Sequence, residues 1–195
     1  MTRLTDYQDK AYALLYQGIV GRVQAAEAPL GKTLLSDTVA RQLYRLMAYK
    51  DEYEVARLHT QTGFVERIQN SFEGDFKVHY HLAPPLWSKR NSQGELVKKK
   101  FGPIMLTGFK VLAKLKGLRG TKLDYFGKTE ERQTERALIR EYMQHIEAVL
   151  NNLSAESHAH AVSVARVPEN IKGFGHVKER NIRAARSLWA SLVKD

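Results

Sequence analysis

Apolar positions recur three or four residues apart along most of this chain, the spacing of a buried helix face. Over residues 4–28 the row runs Tyr7, Ala11, Leu14–Leu15, Gly18–Ile19 and Val23. Thr5 or Asp6 is placed to cap its start, and Pro29 and Gly31 to end it. Residues 36–60 follow with no glycine or proline inside. Val39, Leu43, Leu46 and Met47 define the apolar face there, and Ser36 or Asp37 can accept from a free backbone N–H at the start. About 24 residues at about 1.5 Å each predict one central helix of roughly 36 Å. The short connection makes the two helices antiparallel neighbours. Phe64, Ile68 and Phe72 predict a third helix, opened after Gly63 and closed by Gly74.

The period then changes. Phe76, Val78 and Tyr80 alternate with Lys77, His79 and His81, which is the repeat of a strand. Pro84 and Pro85 stop it, because proline cannot donate to a ladder. Residues 88–100 are polar and turn-rich, and read either as the tip of a hairpin returning over 96–101 or as an irregular loop. Pro103 opens a further helix through Ile104, Phe109, Leu112, Ala113 and Leu115 to Gly117. A connector rich in lysine and glycine leads to Thr129, the start of a long helix to about Leu153 with Leu138, Tyr142 and Ile146 inward. A short helix capped by Ser154 or Ser157 runs to Val164, and a last one covers 177–193 with Ile182, Ala185, Leu188–Trp189 and Leu192 inward. The pattern predicts one mainly α, multi-helix domain over residues 1–195 with a small antiparallel β element around residues 76–101.

Charge changes this picture in two places. In the central helix, Lys50 and Glu54 continue the line of the apolar stripe, with Arg57 crowded beside them. A polar seam there implies pairing, because an unpaired buried charge is too costly. The expectation is that Lys50 and Glu54 pair at i,i+4, partly buried against residues 173–180 or 79–86. The second place is the middle third of the chain. Lys89 and Arg90 flank one loop with Lys98, Lys99 and Lys100, and Lys110, Lys114, Lys116, Arg119 and Lys122 follow. The whole chain carries a formal charge of +10 over 195 residues. That balance suits an anionic partner: nucleic acid, a phosphorylated ligand or an acidic protein surface. No RNP sequence or zinc finger is present, so a solvated face or a docking surface for a larger assembly is favoured over nucleic acid. An independent basic nucleic-acid-binding module stands as the alternative.

Other chemistry is sparse. The segment 26–33 ends like a phosphate loop, Gly31-Lys32-Thr33, but lacks the first glycine and follows a helical pattern where a strand is required. His79 and His81 share one strand face, half of a metal site, but no further ligand stands at suitable spacing, so no metal is expected. His158 and His160 diverge on a helix. Gly173, Gly175, His176, Lys178 and Arg180 form a candidate anion seat, since two glycines before a helix leave free N–H groups. The same glycines equally describe a tight turn. No nucleophile elbow or placed acid–base pair appears, so no catalytic residue is assigned. The absence of cysteine excludes disulfides and iron–sulfur ligation by this chain, and with no apolar run of membrane-spanning length it predicts a cytoplasmic location.

Five blocks carry a resemblance. They are Leu46-Met47-Ala48-Tyr49-Lys50-Asp51-Glu52-Tyr53-Glu54-Val55-Ala56-Arg57-Leu58, His81-Leu82-Ala83-Pro84-Pro85, Phe101-Gly102-Pro103, Leu115-Lys116-Gly117-Leu118-Arg119-Gly120-Thr121, and Gly173-Phe174-Gly175-His176-Val177-Lys178-Glu179. In this order they resemble the C-terminal region of the long, fused form of indolepyruvate ferredoxin oxidoreductase. That family uses thiamine diphosphate, iron–sulfur clusters and CoA to decarboxylate aryl pyruvates and reduce ferredoxin. The family's thiamine motif is Gly-Asp-Gly, whereas here Gly74-Asp75 is followed by Phe76. The resemblance therefore implies an accessory C-terminal domain, excised or separately encoded, with no cofactor of its own. Its implied partners are the catalytic domains of the parent oxidoreductase and, as a further candidate, ferredoxin. No turnover is expected from this chain alone.

Overall fold

The longest predicted helix breaks in two. In the computed structural model, which describes residues 1–74, 76–82 and 97–192, α3 spans Leu34–Met47 and α4 spans Glu52–Thr60. The remaining helices are α1 (Thr2–Tyr7), α2 (Lys10–Glu27), α5 (Phe64–Gln69), α6 (Met105–Lys114), α7 (Glu130–Leu150), α8 (His158–Arg166) and α9 (Gly175–Leu192). Two short strands, β1 (Tyr80–Leu82) and β2 (Lys99–Phe101), pair antiparallel with Tyr80 opposite Phe101 and Leu82 opposite Lys99. The described residues are thus mainly α with one small antiparallel sheet, the class that the periodicity predicts. They fall into two compact units: Met1–Tyr49 with the chain from Tyr125 onward, and Lys50–Asp124.

In the larger unit α3 is the central helix. Leu35, Val39, Leu43 and Met47 are fully buried, each four residues after the last. Ala13, Val20 and Val23 of α2, Leu138, Tyr142 and Ile146 of α7, and Ala161, Val164 and Ala165 of α8 share their core, and Ile182, Ala185 and Trp189 of α9 extend it beside α8. The first predicted helix also breaks. Asp9 accepts from Tyr12 N at 2.7 Å and caps α2, so α1 ends at Tyr7. This restart changes the buried row to Ala13, Ile19, Val20, Val23 and Glu27, with Tyr16 partly buried, and leaves Leu14 and Leu15 exposed.

Glu27 closes that row as a carboxylate with no exposure to solvent. Its two oxygens accept from Leu35 N and Ser36 N, each at 2.7 Å, so it caps α3 in place of Ser36 or Asp37. His158 of α8 lies 2.7 Å from the same carboxylate through Nε2. The other end of α3 is held by tyrosines. Tyr12 Oη donates to Met47 O and Tyr7 Oη to Tyr49 O, both at 3.0 Å. These bonds satisfy carbonyls that a continuing helix would have used. Tyr142 Oη and Trp189 Nε1 likewise donate to Ala165 O and Val164 O near the end of α8, both at 3.1 Å.

In the smaller unit Ala56, Tyr80, Phe109 and Ala113 form the core, with Phe64, Leu82, Phe101 and Met105 packed on it. The ring of His59 stands against Phe64, Tyr80 and Phe109, with centroids 4.8–5.5 Å away. The residues that open and close this unit are tied by a buried polar cluster. Asp51 caps α4, accepting from Glu54 N at 2.8 Å. Arg119 donates to both oxygens of Asp51, at 2.5 and 2.8 Å, and lies over the Tyr53 ring. Tyr53 Oη donates to Asp124 at 3.2 Å, and Gly120 N donates to the same carboxylate at 2.7 Å. Burial first, and then the Asp124 charge and hydrogen bond, push the Tyr53 phenol well above its ordinary range, so it stays protonated.

Two predictions rest on these contacts. Burial alone would raise the Glu27 carboxyl, but its bonds to His158, Ser36 and Leu35 outweigh burial and hold it below its ordinary value of 4.5. A carboxyl depressed on folding adds stability that is present above its unfolded value and is lost as pH falls through the folded one. Glu27→Gln should therefore lower stability at neutral pH by about 3 kcal/mol. It should also flatten the fall of stability below pH ~4.5, read from urea melts across a pH series. Arg119→Met strands the Asp51 carboxylate and should cost about 3 kcal/mol. Adding Asp51→Asn, which keeps a capping oxygen, should recover part of that loss in a double-mutant cycle.

Candidate functional site

The polar seam is rearranged from the pairing that the spacing predicts. Lys50 lies before the first turn of α4 and is exposed, because the helix restarts at Glu52. It is therefore out of phase with Glu54, and the i,i+4 pair does not form. Glu54 instead takes a two-pronged bond from Arg57, with Nε and Nη2 each at 2.8 Å. Among the described residues the buried charges of this unit are Asp51, Glu54, Arg119 and Asp124, with Arg57 largely shielded beside Glu54, an arrangement that joins chain segments rather than opening to a ligand. Sequence reasoning missed Asp51, and it placed Arg119 in the basic stretch open to a partner, whereas Arg119 is buried against Asp51. The capping position of Asp51 was the available signal; the contact with Arg119, 68 residues away, carries none.

The proposed anion seat is also redistributed. Gly173 and Gly175 have φ of 95° and 53°, left-handed values that favour glycine. At Gly173 a Cβ would stand 2.8 Å from Val177 Cγ1, so the close approach to α9 requires glycine. Lys178 is engaged: its Nζ donates to Glu135 Oε1, and Arg132 Nη1 reaches the other oxygen at 2.5 Å. A small hollow beside the first turn of α9 is lined by Glu130, Glu131, Glu135 and Glu179. Those carboxylates oppose a second anion there, and the exposed His176 and Arg180 add no enclosure. The five seat residues therefore do not converge on one point.

A different hollow is roomier. A cavity of about 280 Å³ lies between the C-terminal half of α3, α7, the segment 168–174 and the first turn of α9. Leu46, Tyr49, Leu138 and Ile171 supply its apolar wall, and Arg45, Lys172 and Lys178 its cations. Arg45 is held by main-chain oxygens, its Nη2 donating to Ile171 O at 2.7 Å. Phe174 stands at the rim, 77% exposed. Neither Arg45 nor Lys172 was legible as part of a site, because they reach one hollow from helices and turns far apart in the chain.

The basic stretch retains its prominence. Residues 97–123 include Lys98, Lys99, Lys100, Lys110, Lys114, Lys116, Arg119 and Lys122 and no acidic residue. Lys98, Lys99 and Lys100 are exposed at and before β2, where Lys100 faces His81 across the ladder. Lys89 and Arg90 lie outside the described residues. Helix α6 buries Phe109 and Ala113 on one side. On another side an aliphatic row is left by Ile104 just before the helix, Val111 within it and Leu115 just after it, 85%, 58% and 43% exposed, with Gly108 between. Their spacing of i, i+7 and i+11 places them on one helix face. His79 and His81 are both exposed, and among the described residues no three His, Cys, Asp or Glu side chains are grouped to hold a metal ion. Among those residues no helix is long and apolar enough to cross a membrane.

Comparison with known proteins gives one family. No curated protein and no solved structure matches the chain. The model of DUF6537, a family of unknown function, matches residues 1–191, covering both units and every residue of the cavity. The chain belongs to the family DUF6537.

Proposed function

We propose that this chain is an accessory, non-catalytic domain of a thiamine-diphosphate-dependent indolepyruvate ferredoxin oxidoreductase, serving inter-domain and ferredoxin docking in the cytoplasm. The five sequence blocks supply the link to that enzyme. The observation that carries the docking role is the acid-free, lysine-rich stretch 97–123 with the uncovered aliphatic row of α6 in its midst. The two features suit two kinds of contact. Aliphatic faces are the material of permanent interfaces, here with the catalytic domains. Lysines at a strand edge suit a transient, electrostatically steered encounter, here with an acidic ferredoxin. The exposed apolar groups of the row are aliphatic rather than aromatic, which favours a protein partner over stacked bases.

The cofactors of such an enzyme do not fit this chain. It has no cysteine to ligate an iron–sulfur cluster, and Gly74-Asp75-Phe76 departs from the Gly-Asp-Gly thiamine motif. Thiamine diphosphate, the clusters and the CoA site belong, on this proposal, to the catalytic domains.

The test is charge reversal in the complete enzyme. Lys98→Glu, Lys99→Glu and Lys100→Glu together should slow ferredoxin reduction at low salt by roughly tenfold. The difference should shrink as ionic strength rises, because a Debye length of about 3 Å at 1 M salt removes steering. Equal rates for both enzymes at every ionic strength would sink the ferredoxin role.

A further inference from the structure

We infer that the cavity between α3, α7 and the 168–174 segment binds a small organic anion with a flat apolar body. The inference concerns the larger unit alone and does not depend on the docking role.

The charge balance of the cavity points this way. Its carboxylate, Glu135, is engaged by Lys178 and Arg132, so its charge is more than matched. Arg45 and Lys172 form no ion pair with any described residue. The Arg45 guanidinium is fixed by its bond to Ile171 O, which orients the fork but leaves its charge uncompensated. A planar guanidinium held by carbonyls alone is a preorganised receptor for a carboxylate, which it can meet with two parallel N–H bonds. Lys172 on the facing segment supplies a second cation at the same opening.

The shape of the cavity selects the rest of the ligand. At about 280 Å³ it lies at the small end of ligand cavities, ~300–1,000 Å³. Leu46, Leu138 and Ile171 offer an apolar wall, and Tyr49 adds an aromatic one. Phe174 is an exposed aromatic between two left-handed glycines, and the Gly173–Val177 contact fixes where that segment meets α9. A flat ring entering beside Phe174 would cover it while its anionic group met Arg45. An inorganic ion would use the cations and leave the apolar wall wet.

Amide NMR of the full chain can decide the question with benzoate, benzamide, acetate and phosphate as probes. Benzoate should give saturable shifts in residues 171–178, with a dissociation constant on the order of 1 mM. Benzamide, which lacks the charge, and acetate, which lacks the ring, should each bind about tenfold more weakly. Arg45→Gln should weaken benzoate about tenfold. Because Arg45 also braces Ile171, the exposed Phe174→Ala and Lys172→Gln provide variants that spare the core. Each should weaken benzoate by about threefold or more. Unsaturated, linear shifts up to about 50 mM benzoate would overturn the site. Equal affinity for benzamide would overturn its anionic half. Phosphate binding as tightly as benzoate, or Phe174→Ala leaving benzoate unaffected, would overturn its apolar half.

Discussion

Helix α3 brings no capping side chain of its own to either end, yet the core of the larger unit is built around it. A helix leaves several backbone N–H groups open at its start and as many carbonyls at its finish, and burying them unmet is expensive. Here the start is closed by a carboxylate from α2, and carbonyls at and just beyond the finish are met by two phenols from α1 and α2. The same carboxylate reaches α8 through His158. Three helices are thereby pinned to the ends of a fourth by groups that hydrophobic packing alone would not place. Leu35, Val39, Leu43 and Met47 then bury against whatever that frame brings near. Nonpolar burial supplies most of the driving force, and the polar contacts at the helix ends select one arrangement.

Much of this was legible from spacing. The buried face of α3 and the inward Ile182, Ala185 and Trp189 follow from a period of 3.6, and the Thr129 start of α7 from its capping position, whereas Leu188, read inward with them, is exposed. What spacing missed were interruptions. Residues 47–52 contain no glycine or proline, so the local signal that α3 stops is the capping position of Asp51 alone; Tyr7 and Tyr12 hold the carbonyls at that end. Asp9 acts similarly between α1 and α2. The sheet was overestimated for the opposite reason. The alternation over 76–81 is real, but only Tyr80–Leu82 finds a partner strand among the described residues.

The candidate sites divide along the same line. A run of lysines is visible in any sequence, and its exposure in the structure was the natural expectation. Glycines before a helix are visible too, but their meaning depends on neighbours. Glu130, Glu131 and Glu179 surround the first turn of α9, while Arg45, more than a hundred residues earlier, stands unpaired at the neighbouring hollow. Local motif reading identified the segment but not the partner of Lys178, Glu135, because that partner comes from elsewhere in the chain.

The tie between the two ends of the smaller unit carries a topological consequence. Tyr53 and Asp124 share a hydrogen bond, and Asp51 is clamped by Arg119, so Lys50–Asp124 leaves and re-enters the chain at nearly one point. To the sequence around it, such an insert behaves as a closed loop. The entropy of bringing its ends together is met by the insert's own contacts, and loop length adds little beyond that. Insertions with adjoining ends are the kind that a host fold tolerates, and the kind that can be lengthened, exchanged or removed without re-threading it. What Lys50–Asp124 exposes can therefore change while α3 and its neighbours keep the same core.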